Sequence, residues 1–219
     1  MNATGLLESL DRTRAALDVL EHPFYERWSA GELSAAELAR YAGEYRHAVL
    51  ALSDASRLAA ERARTWPPAR EHVGQLRAHA EEEDAHVALW EQFARACDAQ
   101  GDAPALAGTA ACVRAWSAGE TLLEHLAVLY AIEAGQPRVS ATKLAGLTEH
   151  YGFDEEGPAT EYFRVHAELD VEHARHAREL IEALLGQCED PAPTVERMVA
   201  SARDALHGNW LLLDGVEAA

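Results

Sequence analysis

The chain has 219 residues and is 48% hydrophobic, enough for one full core, and a single domain over residues 1–219 is expected. Its 19 Lys and Arg stand against 37 Asp and Glu, a net charge of −18 that repels nucleic acid and anionic membrane surfaces and disfavours both as partners. The cysteines, Cys97, Cys112 and Cys188, form no metal-binding spacing and fit a reducing compartment, and no apolar run approaches the roughly 20 residues of a membrane span.

A mixed charged and apolar start, MNATGLLESLDRTRAALDVL, lacks the long apolar run of a secretory leader, so a soluble, cytoplasmic protein is expected. Ala, Leu, Glu and Arg dominate, and apolar positions recur every three or four residues, which predicts an all-α fold. Turn and capping residues break the pattern at Glu21-His22-Pro23, Gly31-Glu32-Leu33-Ser34, Trp66-Pro67-Pro68, Gly101-Asp102-Ala103-Pro104, Gly135-Gln136-Pro137, Gly152 to Pro158 and Gly186 to Pro193. Seven or eight helices follow. Ser34 with Glu37 reads as a capping box opening a long helix that runs to about Arg64.

On LRAHAEEEDAHVALWEQF, His79, Glu82 or Glu83, and His86 share a helical face, and Leu76, Val87, Leu89, Trp90 and Phe93 around them predict that the face turns inward. Acid residues 81–84 are too short a run to be a tail. In the next segment, TLLEHLAVLYAIEAGQP, Glu133 is a carboxylate in apolar surroundings, costly unless paired or metal-bound. Then YFRVHAELDVEHARHAREL places His166, Asp170 and His173 four and three apart on one face. Imidazoles and carboxylates without thiolate suit iron or manganese better than structural zinc, and donors from three helices suit two ions in a bundle core. Each residue also has a plain reading, as a satisfied core histidine or a solvated acid. Glu44, on the long helix, is either an extra ligand or a solvent-facing acid.

The order HPFYERW, GELSAAELARYAGEY, HVALWEQF, LAVLYAIEAGQPRVSATKLAGLTEHYGF and YFRVHAELDVEHAR resembles the heme-oxygenase-like diiron oxidases from about Leu20 to Leu185. The resemblance is closest to the chlamydial branch named for associating with death domains. It implies a heme-oxygenase-like, TenA-like bundle of seven to eight helices with a dinuclear site and no heme. His86, Glu133, His166, Asp170 and His173 fall on ligand positions of that branch. His79 stands where the branch has a carboxylate, so either His79 binds in its place or Glu82, one turn on, takes over. A neutral donor in place of an anion would weaken the higher metal oxidation states.

The resemblance further implies a self-sacrificing 4-aminobenzoate synthase. It would use two iron ions, or one iron and one manganese, with O2 and an external reductant. Tyr25 matches the sacrificed tyrosine, Lys143 the amino donor, and Tyr41 and Tyr162 further tyrosines that can relay a radical. Lys143 is the only lysine of the chain, where Arg serves elsewhere, which fits a need for a titratable amine. Three other readings remain open: a diiron oxidase acting on an external amino acid, amine or fatty acid; a metal-free enzyme of the pyrroloquinoline-quinone synthase or TenA type; and an interaction protein. A homodimer is a further expectation from the resemblance.

Overall fold

The structure, a computed structural model, describes residues 3–101 and 103–219. Met1, Asn2 and Asp102, the last in a predicted break, lie outside the described residues. All regular structure among the described residues is helical. In chain order the helices are α1 (Ala3–Ala16), α2 (Pro23–Ala30), α3 (Ala35–Thr65), α4 (Val73–Ala96), α5 (Ala107–Ser117), α6 (Leu122–Glu133), α7 (Gln136–Glu149), α8 (Glu161–Leu185) and α9 (Pro191–Ala218). None of them is long and apolar enough to cross a membrane.

Local chemistry sets most of the ends. Ser34 and Glu37 form the full capping box at the start of α3, which ends one residue past the predicted Arg64, and Pro67 then opens a short 3-10 stretch to His72. Gly31 closes α2 at φ 71°, a left-handed conformation that glycine adopts without a Cβ penalty. Among the described residues α5 and α6 are separate helices, divided by residues 118–121. There Thr121 caps α6 by accepting from Glu124 N–H, and the Glu124 carboxylate accepts from Glu120 N–H in return. A threonine cap inside an apolar segment is a weak sequence signal.

Helix α6 is the axis of the bundle: all twelve of its residues are buried. Around it α3 packs on α4 and α5, α7 on α8, and α9 on α5 and α6. Trp210 to Leu213 covers the protein's own core, Leu212 and Leu213 fully buried and Trp210 donating its indole N–H to Leu17 O at 3.0 Å. The α5–α9 crossing is close because Gly108 has no side chain. A Cβ there would lie 2.0 Å from the Leu211 carbonyl oxygen, a backbone atom that cannot swing away. Gly108→Ala is therefore expected to destabilise the chain by about 2–3 kcal/mol in urea unfolding.

Candidate metal centre

Helix α4 carries Leu76, Glu83 and Trp90 seven apart on its buried stripe, so Glu83, 2% exposed, enters the core among apolar neighbours. Its Oε1 lies 3.3 Å from His86 Nδ1, 3.6 Å from His173 Nδ1 and 3.8 Å from His79 Nε2. Two overlapping donor groups result, His79, Glu83 and His173, and Glu83, His86 and His166, with Glu83 common to both. Glu133, wholly buried at the end of α6, approaches His79 Nε2 at 3.0 Å, and Asp170 approaches His173 Nδ1 at 3.3 Å. Predicted residues from α4, α6 and α8 thus converge.

Glu82 is not among them. Its side chain is about half exposed, and its Oε2 lies 3.0 Å from His173 Nε2. A carboxylate only accepts there, so Nε2 of His173 carries a proton, and in the neutral ring that a metal would require Nδ1 is the nitrogen left to present a lone pair to the interior. The interior carboxylate of α4 is Glu83, the alternative that face periodicity alone left open. Glu44 corrects both of its sequence readings: it is buried, and its Oε2 accepts from Leu106 N–H at 3.0 Å, serving the backbone at the start of α5.

Several buried atoms of this cluster have no hydrogen bond of acceptable geometry: His79 Nε2, Glu83 Oε1, His86 Nδ1, His166 Nε2, His173 Nδ1 and both carboxylate oxygens of Glu133 and Asp170. Leaving so many buried polar atoms unpaired costs several kcal/mol, and cations at the centre of the two groups would satisfy them together. The ring of His166 is pre-set for this, since Nδ1 donates to Tyr162 O at 2.7 Å and leaves Nε2 as the free lone pair. The electrostatics agree. Burial pulls the pKa of His173 down, but its contact with Asp170 and the charges of Glu133 and Glu82 outweigh this and raise it to about 9. Burial holds Asp170 above the usual carboxylate range. Without a cation the cluster recruits protons, and the residues present fit a pair of metal ions.

Beside the cluster lies an aromatic box. Tyr162 stacks on His166 with ring centroids 3.9 Å apart at 26°. Trp90 joins Tyr162, at 4.9 Å, to Tyr45, at 5.0 Å, and its indole N–H is fixed on Ala42 O at 2.9 Å. Tyr25 and Tyr41 share a hydroxyl hydrogen bond of 3.0 Å. Among these rings is Lys143, 1% exposed, with Nζ 4.4 Å from the Tyr45 ring centre, 5.5 Å from Tyr41, 5.6 Å from Tyr25 and 5.7 Å from Phe163. Burial lowers its pKa to about 7. Helix α7 can bring Lys143 this deep because Gly146 lets Trp28 press on the backbone, where the Trp28 indole N–H donates to Lys143 O at 3.2 Å. Tyr45 and Trp90 were not singled out as site residues from sequence; their spacing signals only a buried face.

A pocket of about 280 Å³ opens on the other side of the cluster, between α4, α6 and α8, and His79 and His173 line it. The thiols offer no competing chemistry. Burial pushes Cys97 up to about 12 and raises Cys112 and Cys188 as well, so all three stay protonated and poorly nucleophilic.

Carboxylates and imidazoles projecting inward from facing helices are the pattern by which helical bundles hold metal ions. The chain also superimposes on solved helical structures, whose likeness bears on the fold. A TenA homolog from Pseudomonas syringae gives a TM-score of 0.83 at 19% identity, covering 99% of this chain and 92% of the other. A domain of unknown function with a heme oxygenase-like fold from Shewanella denitrificans gives 0.78 at 17% identity, covering 100% and 93%. These likenesses give the fold, which is TenA-like and heme-oxygenase-like as expected. The profile of the iron-containing redox enzymes matches residues 45–208, and the chain belongs to that family. It is also 31% identical over 211 residues to a 4-aminobenzoate synthase of Chlamydia trachomatis, spanning 93% of this chain and 90% of the relative.

Proposed function

We propose that the chain is a 4-aminobenzoate synthase of the dimetal type. In this reading His79, Glu83, His86, Glu133, His166, Asp170 and His173 hold two irons, or one iron and one manganese, and Tyr25 supplies the ring and Lys143 the nitrogen. The observation that carries it is the pair of buried donor groups sharing Glu83, with a lysine enclosed by tyrosines on their inner side. The likeness to relatives named 4-aminobenzoate synthase supports the product. Metal ions held there would supply activation of O2, with electrons from an external reductant.

The protein's own groups then have definite tasks. Lys143, with its pKa near 7, is substantially unprotonated at neutral pH, so its nitrogen offers a lone pair. Burial holds the Tyr25 and Tyr41 hydroxyls protonated far above the usual phenol range, and their mutual hydrogen bond gives a proton leaving Tyr25 an oxygen to move to. The surrounding rings of Trp28, Tyr45 and Phe163 keep water from a reactive ring. Tyr162, stacked on His166, and Tyr41 serve as stepping points between the cluster and Tyr25.

Intact-mass and peptide analysis after exposure of iron-loaded protein to O2 and reductant tests this. The fragment containing Tyr25 is expected to lose mass as at most one 4-aminobenzoate per chain appears, and Tyr25→Phe is expected to release none. Continued release by Tyr25→Phe would overturn the assignment. A second reading, oxidation of an external amine, is favoured by the pocket at His79 and His173 and predicts many turnovers that survive Tyr25→Phe.

A further inference from the structure

Lys143 sits nearest a ring that the proposed chemistry leaves whole. Its Nζ is 4.4 Å from the centre of the Tyr45 ring, against 5.6 Å for Tyr25, the ring which that reading consumes. Tyr45 is buried and fixed by three contacts. Gln136 Nε2 donates to its hydroxyl at 3.2 Å, Trp90 packs on its ring at 5.0 Å and 36°, and Tyr41 at 5.4 Å and 35°. Gln136 and Lys143 stand two turns apart on one face of α7, so a single helix grips the hydroxyl of this ring and lays an amine over its face. The groups around the amine are neutral. Burial holds the phenols of Tyr25, Tyr41 and Tyr45 protonated, Phe163 carries no charge, and no ion pair among the described residues steers Lys143.

We propose that Tyr45 is a positioning residue for the Lys143 amine, its ring face receiving the N–H groups and so turning the nitrogen lone pair off Tyr45 and leaving it for Tyr25. The face of an aromatic ring carries negative charge, which attracts N–H hydrogens, attracts an ammonium still more, and repels a lone pair. A tetrahedral nitrogen with a hydrogen on one ring cannot aim its lone pair at the same ring. The nearest tyrosine is thereby spared, and the farther Tyr25 is left open to the nitrogen. The purpose of this seat rests on the proposed 4-aminobenzoate reading, but the seat itself is built by the metal-free chain. It adds no bond-making step.

Lys143 is the only lysine of the chain, so metal-free protein carrying isotope-labelled lysine gives a single lysine side-chain NMR signal, whose pH titration reports this amine. Tyr45→Phe keeps the ring face and is expected to hold the Lys143 pKa within about 0.5 of the wild type. Fluorines around that Phe ring keep its shape and drain its face, and are expected to lower the proton affinity of Lys143 about tenfold. The same fluorinated ring in Tyr41→Phe, farther from Nζ at 5.5 Å, is expected to shift it less. With iron, O2 and reductant, Tyr45→Phe is expected to form 4-aminobenzoate and its fluorinated form roughly fivefold less, although more of its amine is unprotonated. A Lys143 pKa indifferent to fluorination would overturn the proposal. So would loss of product in Tyr45→Phe, which would give the essential part to the phenol rather than the ring face. Should the variants fail to fold, the wild type decides: the protons beside Nζ are expected strongly upfield of an ordinary lysine under the Tyr45 ring current, and an ordinary position would overturn the seat. Absence of 4-aminobenzoate from the wild type, with the fluorine effect on Lys143 intact, would sink the proposed function and leave the seat standing.

Discussion

In the proposed dimetal reading, replacing Glu83 by Gln is expected to reduce bound iron from about two ions per chain to well under one, while Glu82→Gln keeps about two. Glu83 is the carboxylate common to both donor groups, within 3.8 Å of histidine nitrogens from α4 and α8. An amide of the same shape loses the negative charge and exchanges one donor oxygen for an NH2 that cannot ligate, so both ions are weakened together. Glu82 acts through His173 Nε2 from the surface, and the Gln oxygen can still accept that proton. Loss of such an outer partner costs about 10–100-fold in affinity with the stoichiometry intact. Elemental analysis after gel filtration gives the count, and melting gives a second readout. An ion at a thousandfold excess over its dissociation constant stabilises the fold by about 4 kcal/mol, roughly 8–16 °C for a chain of this size. Iron should raise the melting temperature of the wild type and of Glu82→Gln but scarcely that of Glu83→Gln. Two ions retained by Glu83→Gln would refute the shared-carboxylate arrangement.

Lys143→Met is expected to make the protein more stable and, in the same molecule, inactive. The unfolded chain keeps the lysine proton up to a pKa of about 10.5, whereas the folded chain releases it at about 7. Between those values the unfolded state binds more protons, so the wild type gains stability as pH rises through this window. At pH 7 and below the cost of the buried amine is fully present. At about 1.4 kcal/mol per pH unit the cost reaches roughly 5 kcal/mol, reduced to about 3 by attraction of the ammonium to the four rings around it. Methionine has similar length and no charge to desolvate. Denaturant unfolding at pH 6.5 should therefore show Lys143→Met about 3 kcal/mol more stable, with the gain fading toward pH 10.5, and no 4-aminobenzoate should form. A destabilised variant would mean that the ammonium is better solvated than its burial implies. Retention of a strained group at a net loss in stability is the usual signature of a functional requirement.

The comparison of sequence with structure turns on particular helices. The α3 capping box is a local signal, since Ser34 and Glu37 satisfy backbone groups one turn apart and need no tertiary partner. The face holding His166, Asp170 and His173 was equally legible, because spacings of four and three fix a common direction on any helix. The split between α5 and α6 was not counted, because Thr121 and Glu124 cap within a run of otherwise apolar residues.

The choice between Glu82 and Glu83 shows where periodicity ends. They are 100° apart on a helix and each neighbours His79 and His86, so spacing serves both equally. The stripe Leu76, Glu83, Trp90 marks the buried direction, but only the seating of α4 against α3 and α8 turned that stripe inward and left Glu82 at the surface. Glu44 was beyond reach for the same reason, because its partner, Leu106 N–H, is 62 residues away.

The sequence by itself determined the helices, their principal caps and the inventory of nitrogen and oxygen donors, all consequences of interactions within one or two turns. Tertiary structure alone decided which carboxylate of α4 two donor groups share, that the single lysine lies dry among tyrosines, and that a pocket opens at His79 and His173. Those facts depend on the rotation and depth at which helices pack, which are set by the fit of side chains distant in the chain.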